Sequence, residues 1–175
     1  MDKTVIFAVA GSGKTTYIIN NLNCTDRSLV ITYTNNNLLN IRTGIIKKFG
    51  FFPENIKLLS YFTFIYSLCY KPFFLRKFKT EGINYKNNSN FKIKVSDTKY
   101  YFFDKFNRIY SNRISKFLEI QGSINDINLR ISKYFDNLFI DEVQDLAGND
   151  FNFLRNISKA SINTILVGDF FSAHI

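Results

Sequence analysis

The chain has 175 residues, of which 46% are hydrophobic and 17% aromatic, with 23 Lys and Arg against 14 Asp and Glu and a net charge of +9. That composition excludes a disordered chain, and the length suits one domain with a real core rather than two. Two cysteines, Cys24 and Cys69, exclude a disulfide framework and fit a reducing cytoplasm, and no run approaches the ~18 apolar residues of a membrane span.

Met1-Asp2-Lys3 followed by TVIFAVA imitates a secretory leader, but the apolar run is short and an acid precedes it. TVIFAV (4–9) reads better as a strand buried on both faces that ends in a glycine-rich turn. KTTYIINNL then predicts a helix, SLVITY (28–33) a second buried strand, and Thr34-Asn35 the cap of a helix running to about Phe49, where Gly50 and Pro53 break it. IKLLSY is a third strand, followed by an aromatic helix from about Phe62 that Pro72 interrupts or bends.

From about residue 72 to 130 the chain turns basic and rich in Asn. Lys71 to Lys116 holds 12 Lys and Arg against 3 acids, which accounts for the whole excess charge of the chain. A surface facing a polyanion is one reading and a solvated lysine-rich helical face the other. EGINYKNNSN predicts a loop, and DTKYYFFDKFNRIYSNRISKFLEI one long helix with apolar positions recurring at three and four. NLFIDE (137–142) and NTILVGD (163–169) return to the buried-strand pattern, with a helix across DFNFLRNISKA between them. Strands alternating with helices predict an α/β fold, a parallel sheet flanked by helices, built from 1–71 and 131–175 with a helical insertion at 72–130.

AVAGSGKTT fits [AG]-x-x-x-x-G-K-[ST] between a strand and a helix, the phosphate-binding loop of P-loop NTPases. Glycines let backbone N–H groups converge on phosphate oxygens at a helix N-terminus, so Ala10, Gly11, Ser12, Gly13, Lys14, Thr15 and Thr16 form the candidate nucleotide-binding set. Lys14 can reach the β- and γ-phosphates, and the Thr15 hydroxyl can ligate Mg²⁺. LFIDEVQDL supplies the second half: a buried strand delivers Asp141 and Glu142 to its carboxyl edge, Asp141 as a Mg²⁺ partner and Glu142 as general base on water. A GTPase is disfavoured because no N-K-x-D motif is present, although another P-loop ATPase stays open.

AVAGSGKTT with IDEVQDL resembles the superfamily 1 DNA helicases of the UvrD/Rep type, whose Walker B element reads D-E-x-Q-D. VITYTNNN is similar to motif Ia of that family, LLSYFTF to the segment after it, and ILVGDFF to the start of motif III, all in the family order. The resemblance implies the first RecA-like domain of a motor using ATP and Mg²⁺, with the basic block in place of the helical subdomain that interrupts it. It implies that Gln144 senses the γ-phosphate, supported by Asp145, and that Thr34, Asn35, Thr63 and Phe64 line a track for single-stranded or partly duplex DNA. Phe64 is equally read as core.

Four features depart from the family pattern. Only seven residues precede Ala8, and none of them is the glutamine that in that family reads adenine upstream of the loop; Asn37 and Leu38 replace small residues of motif Ia; Phe62 replaces the histidine of motif Ib; Ser172 replaces the glutamine of G-D-x-x-Q. The resemblance also implies a second RecA-like lobe or subunit supplying arginines. The expectation is therefore a chain that binds Mg-ATP yet turns it over poorly alone. The alternative is a nucleotide-gated nucleic-acid-binding module without unwinding activity.

Overall fold

The second strand of the chain, Ser28–Thr32 (β2), is buried at every residue because it lies inside the sheet and is covered on both faces. The computed structural model describes residues 2–9, 11–86, 94–95 and 97–169. Five strands form the main sheet: Lys3–Ala8 (β1), β2, Ile56–Ser60 (β3), Asn137–Ile140 (β6) and Asn163–Asp169 (β7), in the order β1-β7-β6-β2-β3. Every neighbouring pair is parallel, so all five carboxyl ends emerge at one edge. The α/β architecture with a parallel sheet flanked by helices agrees with the sequence.

Helices Lys14–Asn21 (α1) and Asn35–Phe49 (α2) cover one face, where Ile18, Leu22, Ile41 and Ile45 meet Val30, Phe139 and Val167. The α2 boundaries follow the predicted caps. Thr34 Oγ1 accepts a hydrogen bond from the Asn37 N–H at 3.2 Å, and Gly50 closes the helix at φ 80°. The opposite face carries a larger, aromatic core joining Leu29, Ile31, Leu138 and Ile140 of the sheet to Phe64, Tyr70, Phe74, Phe117, Phe153 and their neighbours.

The aromatic segment after β3 is helical from 61 to 78, but its middle is wound differently from its ends: α3 (Tyr61–Thr63), a π-helical stretch at Phe64–Tyr70, then α4 (Lys71–Phe78). Pro72 stands in the first turn of α4, where a missing N–H costs least, so it marks a change of winding instead of a break. The 72–130 block contributes α4, a short strand Gly82–Asn84 (β4), α5 (Thr98–Phe102), a strand Arg108–Tyr110 (β5) paired parallel to β4, α6 (Ile114–Ile120) and most of α7 (Ile124–Tyr134). Its apolar side chains join the sheet's own core: Phe117 contacts the rings of Tyr70, Phe74, Phe78, Phe102 and Phe103.

Besides the expected loop EGINYKNNSN, which contains strand β4 and whose residues 87–90 lie outside the described residues, two expectations fail. The single long helix over 97–120 is broken into α5, β5, a 3₁₀ turn and α6. Asp104 organises the break, its carboxylate accepting from the N–H groups of Phe106 and Arg108 at 2.9 Å each, while Asn107 adopts φ 57°. The three-four recurrence of apolar residues survives because two short helices and a strand all face the same core. The second failure is β1, which is not buried on both faces. It lies at the sheet edge beside β7 alone, with Val5, Phe7 and Val9 each about half exposed.

Candidate nucleotide site

The parallel register gathers at one edge what the sequence scatters over 160 residues. After β1 the chain turns through Gly11 (φ 77°) and Gly13 (φ 85°), and the latter caps α1 from the left-handed region that a side chain rarely adopts. Gly11, Ser12, Gly13 and Thr16 are exposed and Thr15 is half-buried; Ala10 lies outside the described residues. Gly11, Gly13, Lys14 and Thr15 line an open cleft of about 320 Å³ together with Glu142 and Asp169. Backbone N–H groups at the start of an eight-residue helix, with a lysine beside them, suit an anionic ligand.

Lys14 is buried, and its ammonium donates to the carbonyl oxygens of Ala8 at 3.2 Å and Val9 at 3.1 Å. It also stands 3.9 Å from the carboxylate of Asp169, the last residue of β7. The pairing Ala8↔Asp169 at the end of the β1–β7 ladder accounts for that proximity.

Asp141 follows β6 and is 1% exposed. Its N–H is tied to the Ile31 carbonyl at 2.8 Å, but among the described residues neither carboxylate oxygen accepts a well-formed hydrogen bond. Burial, and secondarily the charge of Glu142, push its pKa up to about 6, against the opposing pull of the Glu142 N–H and of Lys14. A buried, unsatisfied carboxylate beside a phosphate-type cradle fits a divalent cation. Among the described residues no group of three or more His, Cys, Asp or Glu side chains gathers as a metal site. Mg²⁺ does not need one, since it is commonly held by one or two carboxylates with phosphate oxygens completing its shell. The residues present are compatible with Mg²⁺, which Asp141 and the Thr15 hydroxyl would hold.

Glu142 adopts φ 56° and starts the short 3₁₀ turn Val143–Asp145. Gln144 from that turn donates through its amide nitrogen to the Glu142 carboxylate, and its oxygen accepts the Asp169 N–H at 2.8 Å. The side chain expected to sense a γ-phosphate is thus spent between two protein groups. Asp145 is exposed as a residue, yet partial desolvation of its carboxyl, followed by the charge of Glu142, raises its pKa.

The four residues expected on a nucleic-acid track divide. Thr34 and Asn35 follow β2 and Thr63 follows β3, so they share the carboxyl edge of the sheet with the cleft; Asn35 and Thr63 are exposed. Thr34 serves as helix cap, and the Thr63 hydroxyl pairs with Ser60 at 2.9 Å. Phe64 corrects the expectation: it is 0% exposed, with its ring 6.5 Å from that of Phe153, and cannot stack on a base. Ser172 lies outside the described residues.

Two residues of the site were missed. Asp169 was read only as part of a motif, yet its carboxylate is the charged neighbour of Lys14. Thr32 is fully buried with an unsatisfied hydroxyl, one step along the register from the Ile31↔Ile140 pair and so alongside Asp141. A polar residue ending the apolar run Leu29–Ile31 was the available signal. No helix among the described residues is long and apolar enough to cross a membrane. No model of a protein family matches the chain, and no curated protein matches it in sequence.

Proposed function

We propose that the chain is the ATP-binding domain of a superfamily 1, UvrD-like DNA helicase or translocase, with a RecA-like P-loop fold. The observation that carries this reading is one cleft lined by the Gly11–Thr15 turn, Glu142 and Asp169, with the unsatisfied Asp141 carboxylate buried at the same edge. Backbone N–H groups of the turn and the Lys14 ammonium neutralise the phosphates, and Thr15 and Asp141 hold Mg²⁺. When bound, Mg²⁺ neutralises charge on the phosphate oxygens. Glu142 orients a water and takes its proton. The basic central block, whose apolar side chains pack into the aromatic core on one face of the sheet, gives a strand of DNA a sequence-tolerant grip. Preference for ATP over other nucleotides rests on the resemblance of the motifs.

The test is a titration with a fluorescent ATP analogue and Mg²⁺, followed by turnover with and without single-stranded DNA. Binding that Lys14→Ala removes and Glu142→Gln retains, with turnover lost in the latter, supports the reading. Unchanged affinity in the Lys14 variant refutes the phosphate-loop assignment. Tight DNA binding without stimulated turnover selects the binding-module alternative.

A further inference from the structure

We propose that Gln144 is a positioning residue that ties the Glu142 carboxylate to Gly168-Asp169, so that the end of β7 sets where the water-activating carboxylate stands. The inference rests on the nucleotide-hydrolysing reading above, but it is drawn from three contacts that the reading does not need.

The first contact is the amide itself. Its two ends are occupied in opposite senses, the oxygen accepting the Asp169 N–H at 2.8 Å and the nitrogen donating to Glu142. A carboxamide suits this place because it offers both a donor and an acceptor. A glutamate would keep the acceptor and set a second negative charge against Glu142.

The second contact is Gly168. A Cβ there would lie 2.7 Å from Val143 Cγ2 and 3.0 Å from Gln144 Oε1, so the 3₁₀ turn rests directly on the β7 backbone. Gly168 also pairs with Phe7, which fixes the strand end against β1 on its other side. The third contact is the Lys14–Asp169 ion pair at 3.9 Å. Two consecutive residues of β7 therefore touch both the phosphate-side cation and, through Gln144, the general base. A displacement of that strand end moves Lys14's counter-charge and Glu142 together. This is a direct mechanical link between the sheet edge and the chemistry.

A residue acting through Glu142 affects turnover and spares binding. Single-turnover hydrolysis and affinity for the fluorescent ATP analogue are compared for the wild type, Gln144→Leu, Glu142→Gln and the double variant, with folding checked by circular dichroism. The expected result is a loss of about 10- to 100-fold in turnover for Gln144→Leu, as for a misplaced catalytic group. Its affinity stays within about threefold of wild type, and it causes no additional loss in the Glu142→Gln background. A fall in affinity with turnover per bound nucleotide unchanged would mean that Gln144 contacts the nucleotide, and would overturn the proposal. So would an independent loss in the double variant.

A second measurement needs no activity. In the ligand-free protein, the Gln144 side-chain amide resonances should shift on Glu142→Gln, and the Asp169 backbone amide should shift on Gln144→Leu. If the analogue fails to bind the wild type, the parent reading falls and these shifts alone decide the tie. If both sets of resonances stay in place, the tie does not exist whatever the protein hydrolyses.

Discussion

The Lys14 ammonium, at the start of α1, and the Asp169 carboxylate, at the end of β7, face each other across 3.9 Å, and both are largely buried. Lys14 follows the glycine turn that precedes α1, whereas Asp169 closes the last strand, so only the β1–β7 ladder makes them neighbours. A lysine held in this way by two carbonyls and one acid is oriented before any ligand arrives.

Removing that ammonium should be costly to anion binding. Lys14→Ala is expected to weaken the fluorescent ATP analogue by at least about tenfold, the loss of one charge-assisted contact of about 1.5 to 3 kcal/mol. Lys14→Arg should recover little, because a planar fork does not fit where a compact ammonium is enclosed by carbonyls. Equilibrium titration in the presence of Mg²⁺ checks both.

Asp141 gives the pH dependence. Its folded-state pKa is about 6, against an ordinary value of 3.8, because burial disfavours the charged form. The folded state thus holds this proton more tightly than the unfolded chain does. The penalty is absent below pH 3.8, grows between 3.8 and about 6, and is complete above. Asp141→Asn should therefore stabilise the ligand-free protein by up to about 3 kcal/mol at pH 8 and give no comparable gain near pH 4. Thermal melts over this range, without nucleotide or metal, measure it. The same variant should lose Mg²⁺-dependent nucleotide binding, separating stability from function at one residue.

Gly168→Ala should destabilise the fold by about 1 to 3 kcal/mol, the usual cost of overpacking. The new methyl group would meet Val143 Cγ2 at 2.7 Å and must displace the turn that carries Gln144. Denaturant unfolding measures the loss.

Phe64 and Thr34 separate structure from strand binding. Phe64→Ala should cost about 3 to 5 kcal/mol of stability, because its ring is fully buried in the aromatic core. Thr34→Ala should cost about 1 kcal/mol through loss of the α2 cap. Neither loss requires DNA to be present, and chemical denaturation of the free protein checks both.

The basic block makes its own prediction. Lys99 and Lys105 are exposed, and among the described residues the one ion pair of the block is Arg108–Asp104. If this surface carries the strand, reversing both lysines to Glu should reduce the salt dependence of single-strand binding. The slope of log K against log salt should fall by about 1.4, at about 0.7 for each lost phosphate contact. Fluorescence anisotropy at several salt concentrations tests it, and an unchanged slope returns these lysines to a solvated-surface role.

Local chemistry made much of this protein legible without coordinates. Apolar runs marked all five strands of the main sheet, Thr34 and Gly50 bounded α2, and Gly11 and Gly13 marked the turn that leads into α1, because caps, turns and strand patterning act over a few residues. Distant pairing decided the rest. An apolar hexapeptide reads alike at the centre or edge of a sheet, so the exposure of Val5 and Phe7 followed only from strand order. The break at Asp104 depended on a turn that the helical period of its flanks concealed. Phe64 read equally as core or as a nucleic-acid contact, and only the packing of the π-helical stretch against the sheet decided for the core. The alliance of Lys14, Asp169, Gln144 and Glu142 is likewise tertiary, since hydrogen bonds and ion pairs need proximity, and proximity between residues 14 and 169 comes only from parallel strands stacked in register.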